Sequence, residues 1–216
     1  MAAASTNSPP APSPRCPRTS TGPDQDRGSM TRSPQDRPPL HDVRIIDAAT
    51  MMAAPWAATF LADYGADVIK VEHPTHGDHA RSFGLAKDGE PIFWKTLARN
   101  KRSIGMDLKS PQGFEAFERI LDHADVLIEN FRPGVLARLG LDDASLRERF
   151  PHLIVLSVTG YGQDGPYAER RGFGTLIEAM SGFAYSNGHP DGPPTLPAIP
   201  LADGVAGAFG ALSVMI

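Results

Sequence analysis

From residue 43 onward, short continuous apolar runs alternate with stretches whose apolar residues recur at helical spacing. "VRIIDAA" (43–49), "DVIKVE" (67–72), "SIGMDL" (103–108), "DVLIEN" (125–130) and "LIVLSVTGYG" (153–162) predict strands, the last of them buried. "PWAATFLADYGA" predicts a helix with Pro55 in its first turn and Gly65 at its end. "PQGFEAFERILDHA" predicts another, capped by Ser110, with Phe114, Phe117, Ile120 and Leu121 on one face. "PGVLARLGL" and "ASLRERF" read as short helices, the second capped by Asp143, and residues 174–181 as one more. Residues 73–90 read as a long polar loop. Strands alternating with helices predict an α/β fold, a parallel sheet covered on both faces. Ligands of such sheets bind at the carboxyl ends of the strands. Thr50, Glu72, His73, Asp107, Lys109, Asn130, Arg132 and Tyr161 all fall at those ends.

The first forty residues break this pattern. They hold nine of the 21 prolines, and their only large apolar residues are Met1, Met30 and Leu40. Burial there cannot offset the entropy of ordering, so residues 1–40 are expected to be a disordered tail and residues 41–216 the organised part. Met30 is an alternative start to Met1. The chain stops inside "LADGVAGAFGALSVMI", an apolar run with no closing turn. The expectation is an incomplete domain whose exposed apolar end leads to poor solubility or dependence on a second chain.

Composition narrows the function by exclusion. A net charge of −4 does not suit nucleic acid. The single cysteine, Cys16, suits a reducing, cytoplasmic setting. No run is long enough to span a membrane. The first strand is not followed by G-x-G-x-x-G, and neither a Walker-type phosphate loop nor G-x-S-x-G occurs. His73, His76 and His79 fall three apart, but without cysteine or H-E-x-x-H the expectation is no metal. "ARNKRS" (98–103) reads equally as a solvated basic face or a phosphate clamp.

Five stretches taken together resemble the class III CoA-transferases, the family of formyl-CoA:oxalate and carnitine CoA-transferases. They are "GADVIKVEHPTHGDHAR" (65–81), "NKRSIGMDLKSPQG" (100–113), "DVLIENFRPGVLARLGL" (125–141), "VTGYGQDGPYAERRGF" (158–173) and "DGPPTLPAIPLADGVAG" (191–207). Their order covers nearly all of the chain from residue 43. The resemblance implies a parallel-sheet, Rossmann-like nucleotide-type domain, present in part, whose family members form interlaced dimers. It implies no permanently bound cofactor, with coenzyme A and acyl-CoA as substrates beside a free carboxylic acid. Carried over position by position, the coenzyme contacts fall on Met51, Met52, Ala53, His73, Met106, Lys109, Asn130, Phe131 and Arg138. Arg138, Lys109 and Arg102 would face phosphates, Asn130 a pantetheine amide, and Phe131 its apolar chain.

The same resemblance gives Asp203 a role. It stands ahead of a helix as the nucleophile that becomes an aspartyl-CoA thioester, with helix N–H groups as oxyanion donors and small neighbours, Ala202, Gly204, Ala206 and Gly207, leaving room. The residue-level alternative is a helix cap. Alpha-methylacyl-CoA racemases share much of the pattern, so a CoA-dependent racemase or isomerase is the alternative function, and an inactive coenzyme-binding fragment a further one. The racemases carry "GHD" where this chain reads "GFG", which puts Gly174 at the place of their carboxylate and favours transfer. Glu178, one turn on, is expected to be simply a polar residue of its helix.

Overall fold

The computed structural model describes residues 37–216. Most of the expected tail, residues 1–36, lies outside the described residues. Residues 37–40, grouped with it on composition, instead pack onto the domain. Leu40 is buried and its N–H bonds to the Tyr64 carbonyl. Pro38 lies so close to Gly65 that a Cβ there would stand 2.2 Å from the proline Cβ, and Gly65 has φ +100°, where glycine is favoured.

Five parallel strands form one sheet: β1 (Arg44–Asp47), β2 (Asp67–Glu72), β5 (Lys101–Gly105), β6 (Val126–Glu129) and β7 (Ile154–Ser157), in the order β5-β2-β1-β6-β7. A small hairpin, β3 (Ala86–Lys87) with β4 (Glu90–Pro91), and a 3-10 turn (His79–Ser82) interrupt the expected long loop. Three differences from the sequence reading have plain causes. β5 starts at Lys101, because pairing with β2 runs from Val68↔Lys101 to Glu72↔Gly105 and ends where β2 ends. β7 is an edge strand with a single neighbour, so Ile154 is 48% exposed rather than buried. The cap of α5 (Asp143–Arg149) is Asp142, whose carboxylate accepts from the Ala144 and Ser145 N–H groups.

The sheet divides two cores. On one face Phe117 and Leu121 of α3 (Pro111–Leu121) and Leu146 of α5 pack on Ile46, Val71 and Leu127. Ser110 caps α3 as its sequence predicts, accepting from Gly113 N–H. On the other face α1 (Ala53–Asp63) lies on Ile45, Val68, Val126 and Ile128, and α8 (Leu201–Val214) lies against α1. Small residues make that second contact possible. A Cβ on Gly207 would stand 2.9 Å from the Ala53 carbonyl oxygen and 2.9 Å from Trp56 Cβ. The smallness of Gly207 therefore serves close packing of α8 on α1.

Candidate functional site

Strand order fixes where a site can form. From β1 the chain proceeds through β2 to β5 on one side, then returns to β6 and β7 on the other. The order of strand addition reverses between β1 and β6, and the segments leaving these two strands diverge there to open a crevice. Asn130, just past β6, bridges it. Its side chain accepts from Thr50 N–H at 2.9 Å and donates to Thr50 carbonyl at 2.7 Å. Glu129, buried at the end of β6, accepts from Phe131 N–H at 2.7 Å. Burial pushes its carboxyl pKa up, against the hydrogen bonds from Ser157 and Phe131.

A buried charge network holds the β1 side. Lys70 contacts the Ala49 carbonyl and stands 3.0 Å from Asp78 Oδ2, while Lys101 Nζ donates to Asp47 at 2.9 Å and to the Pro55 carbonyl at 2.7 Å. Burial lowers the Lys101 pKa, and Asp47 opposes that. Asp78 Oδ1 accepts from Met51 N–H at 3.0 Å and so pins Met51, whose φ of 66° is unfavourable for a non-glycine residue. Glu72 anchors the neighbouring loop. Burial works against its carboxylate, but hydrogen bonds from Arg81, Ser103 and Asp78 N–H outweigh that and hold its pKa down to about 2. This network escaped the sequence reading. Its one visible signal was a lysine inside an apolar strand, which must find acids if it is buried.

The crevice is a cavity of about 460 Å³. Met51, Met52, Ala53, Asn130, Phe131 and Asp203 all line it. Asp203 sits in the first turn of α8, two residues inside it rather than ahead of it, and makes no side-chain cap. The cap role falls to another carboxylate. Glu178, on α6 (Gly174–Met180), is buried and accepts from Ala202 N–H at 2.9 Å, so that N–H is already taken as an oxyanion donor. Burial raises the Asp203 pKa, and the Glu178 charge raises it further. Gly174 lies directly beneath: a Cβ there would stand 2.3 Å from Asp203 Oδ2.

The upward shift has a defined sign. Protonation of Asp203 favours the folded state, and that contribution is withdrawn as pH rises through the elevated value. In a carboxyl-labelled chain followed by NMR, Asp203 is expected to titrate above the ordinary aspartate range. Glu178→Gln keeps an acceptor for Ala202 but removes the charge, so the midpoint should fall. An unmoved midpoint would remove Glu178 as a cause.

The other sequence-predicted contacts are not brought to this cavity. Met106 is buried in the α3-side core. His73 is exposed and stacks on His76 with ring centroids 3.9 Å apart. Lys109 and Arg138 are exposed, the latter on α4 (Val135–Arg138). Arg102 pairs with Asp67 at the amino end of β2, while Arg99 pairs with Asp63. These pairings make the basic cluster a structural one. Among the described residues no three or more His, Cys, Asp or Glu side chains converge as a metal site would need.

The sequence model of CoA-transferase family III matches residues 40–216. The chain belongs to CoA-transferase family III. It is 47% identical over 180 residues to the succinyl-CoA–L-malate CoA-transferase beta subunit of Chloroflexus aurantiacus, covering 82% of this chain and 44% of that protein. It is 43% identical over 192 residues to the succinate–glutarate CoA-transferase of Agrobacterium fabrum, covering 86% of this chain and 48% of the relative. A CAIB/BAIF family protein from Brucella suis has a crystal structure that superposes with a TM-score of 0.78 at 38% identity, over 83% of this chain and 48% of that one. The CoA-transferase chain described here thus spans about half the length of the curated relatives it matches.

Proposed function

We propose that this family member transfers CoA from an acyl-CoA to a free carboxylic acid, with Asp203 as the nucleophile. The observation that carries the reading is an uncapped, half-buried carboxylate in the crevice where the strand order reverses, with a glycine beneath it. Asp203 attacks the thioester carbonyl and expels CoA thiolate, forming a mixed anhydride. The thiolate then attacks the aspartyl carbonyl, giving an aspartyl-CoA thioester and the free donor acid. The acceptor carboxylate attacks that thioester, and the released thiolate takes the new acyl group, which regenerates Asp203. Each step exchanges one acyl bond for another, so no oxidant or metal enters the balance. The raised pKa supports the role, since a desolvated carboxylate is the stronger nucleophile once ionised.

Succinyl-CoA is the donor we infer from the relatives' activities. The cavity volume suits the thioester end of such a molecule. On this reading Met51–Ala53, Asn130 and Phe131 hold the pantetheine arm, while the exposed His73, Lys109 and Arg138 lie along the path of the coenzyme and Met106 stays in the core behind it. Racemisation is disfavoured, because no side chain fits at Gly174 while Asp203 holds its place. Exposed Phe209 and Leu212 on α8 and Met215 just past its end, with exposed Tyr185 and Ile199 elsewhere, support burial of apolar surface against a second copy in a homodimer. Among the described residues no helix is long and apolar enough to cross a membrane, and we infer a cytoplasmic setting.

The decisive test is trapping. Incubation with succinyl-CoA followed by hydroxylamine or borohydride should modify Asp203, read by peptide mass spectrometry. Transfer that continues with Asp203 unmodified would overturn the nucleophile.

A further inference from the structure

The cavity carries more positive charge than a nucleophilic carboxylate needs. Arg132, Arg170 and Arg171 line it against the single carboxylate of Asp203, three positive charges against one negative. None of the three has a carboxylate partner within 4.0 Å among the described residues. Among the described residues Arg44, Arg81, Arg99, Arg102 and Arg149 pair closely with acids, whereas these three, like the exposed Arg138 and Arg147 outside the cavity, do not.

Arg170 is also held in place. Its guanidinium lies 4.0 Å from the centroid of the Tyr167 ring. Tyr167 packs edge-on against Tyr161, whose hydroxyl bonds to the Met180 sulfur on α6. Gly160 and Gly172 let the two arms of this loop touch, since a Cβ on either would stand under 3.0 Å from the other's Cα. The result is an aromatic support under Arg170, an exposed, planar, bidentate donor that lines the crevice. In the same wall Thr159 Oγ1 is buried with no hydrogen-bond partner among the described residues. That hydroxyl is free to donate to an oxygen of a ligand in the crevice.

We propose that Arg170, supported by Tyr167, binds the second carboxylate of a dicarboxylic acyl group and so selects dicarboxylates over monocarboxylates. The inference rests on the transfer reading for the position of the thioester. In succinyl-CoA the carbonyl presented to Asp203 is a neutral thioester, so the anionic group that its acyl portion brings to the cavity is the distal carboxylate. Coenzyme phosphates are the other anions available. They lie the full length of the pantetheine arm from the thioester, and a space of about 460 Å³ does not hold both ends.

The test compares succinyl-CoA with butyryl-CoA, which carry the same coenzyme and differ in the distal carboxylate. Calorimetric binding to the 216-residue chain should favour succinyl-CoA by about tenfold, the worth of one charge-assisted contact. Arg170→Gln should erase that preference and leave butyryl-CoA binding unchanged, while Arg170→Lys restores part of it. Tyr167→Ala should give an intermediate loss. Equal weakening of both ligands would assign Arg170 to coenzyme phosphates, and an intact preference in Arg170→Gln would give the carboxylate to another group. Either result overturns the proposal. The two readings separate cleanly, because the binding preference needs no turnover. If it persists in a chain whose Asp203 is never acylated, only the transfer mechanism fails.

Discussion

Asp203→Asn is expected to abolish CoA exchange, by at least about a thousandfold, while binding of coenzyme A should stay within a few-fold of the original. Asparagine matches aspartate in shape and fits the same space above Gly174, so the crevice keeps its form. What is lost is the anionic oxygen that forms the anhydride, and no other carboxylate lines the cavity to replace it. The measurement is transfer of label from succinyl-CoA to a free dicarboxylate, beside calorimetry with coenzyme A. Stability should move the other way. Burial and Glu178 both oppose ionisation at position 203, so removing the charge relieves a cost near neutral pH and the melting temperature should rise slightly. Loss of activity with increased stability is the signature of a functional carboxylate held against its folding preference. A variant that retains exchange within tenfold would show that Asp203 is not acylated.

The sheet was legible because its strands are short, continuous and apolar, and because turn residues punctuate them. β2 was read at its observed limits, since Gly65 and the polar loop at residue 73 bound it on both sides. β5 was misread because its amino half is "KRS", and cations do not announce a strand. They are there because Lys101 reaches Asp47 and Arg102 reaches Asp67, partners many residues away. The burial of "LIVLSV" was overestimated for a related reason, as a local pattern does not say that β7 has one neighbour. At the site, "LADGVAG" directed attention to Asp203, but Glu178 passed as an ordinary polar residue of a short helix. Only the packing of α6 beside α8 shows that it caps the helix Asp203 stands on. Asn130 was assigned an amide of the coenzyme, yet both ends of its side chain engage Thr50. It retains one N–H for a ligand, which is a narrower role than its residue type suggested.

Gly174→Ala is the sharpest test of how the site is built. The new Cβ would stand 2.3 Å from Asp203 Oδ2 and 3.0 Å from Cγ, distances at which something must move. The backbone cannot yield cheaply, because Ala202 is tied to Glu178 on the same helix as Gly174. The carboxylate is therefore the part displaced, by about an ångström. Misplacement on that scale costs on the order of a hundredfold in rate. Gly174 begins α6, and it does not have the positive φ that would penalise alanine. Helix propensity favours alanine there, so the fold should be unharmed or slightly more stable. The expected result is a fall of about a hundredfold in kcat for succinyl-CoA, with coenzyme affinity and melting temperature preserved. Gly174→Asp should be worse, since a second carboxylate would crowd Asp203 and repel it. A Gly174→Ala variant that transfers at the original rate would mean that the Asp203 carboxylate works from another position, and the contact with Gly174 would lose its significance.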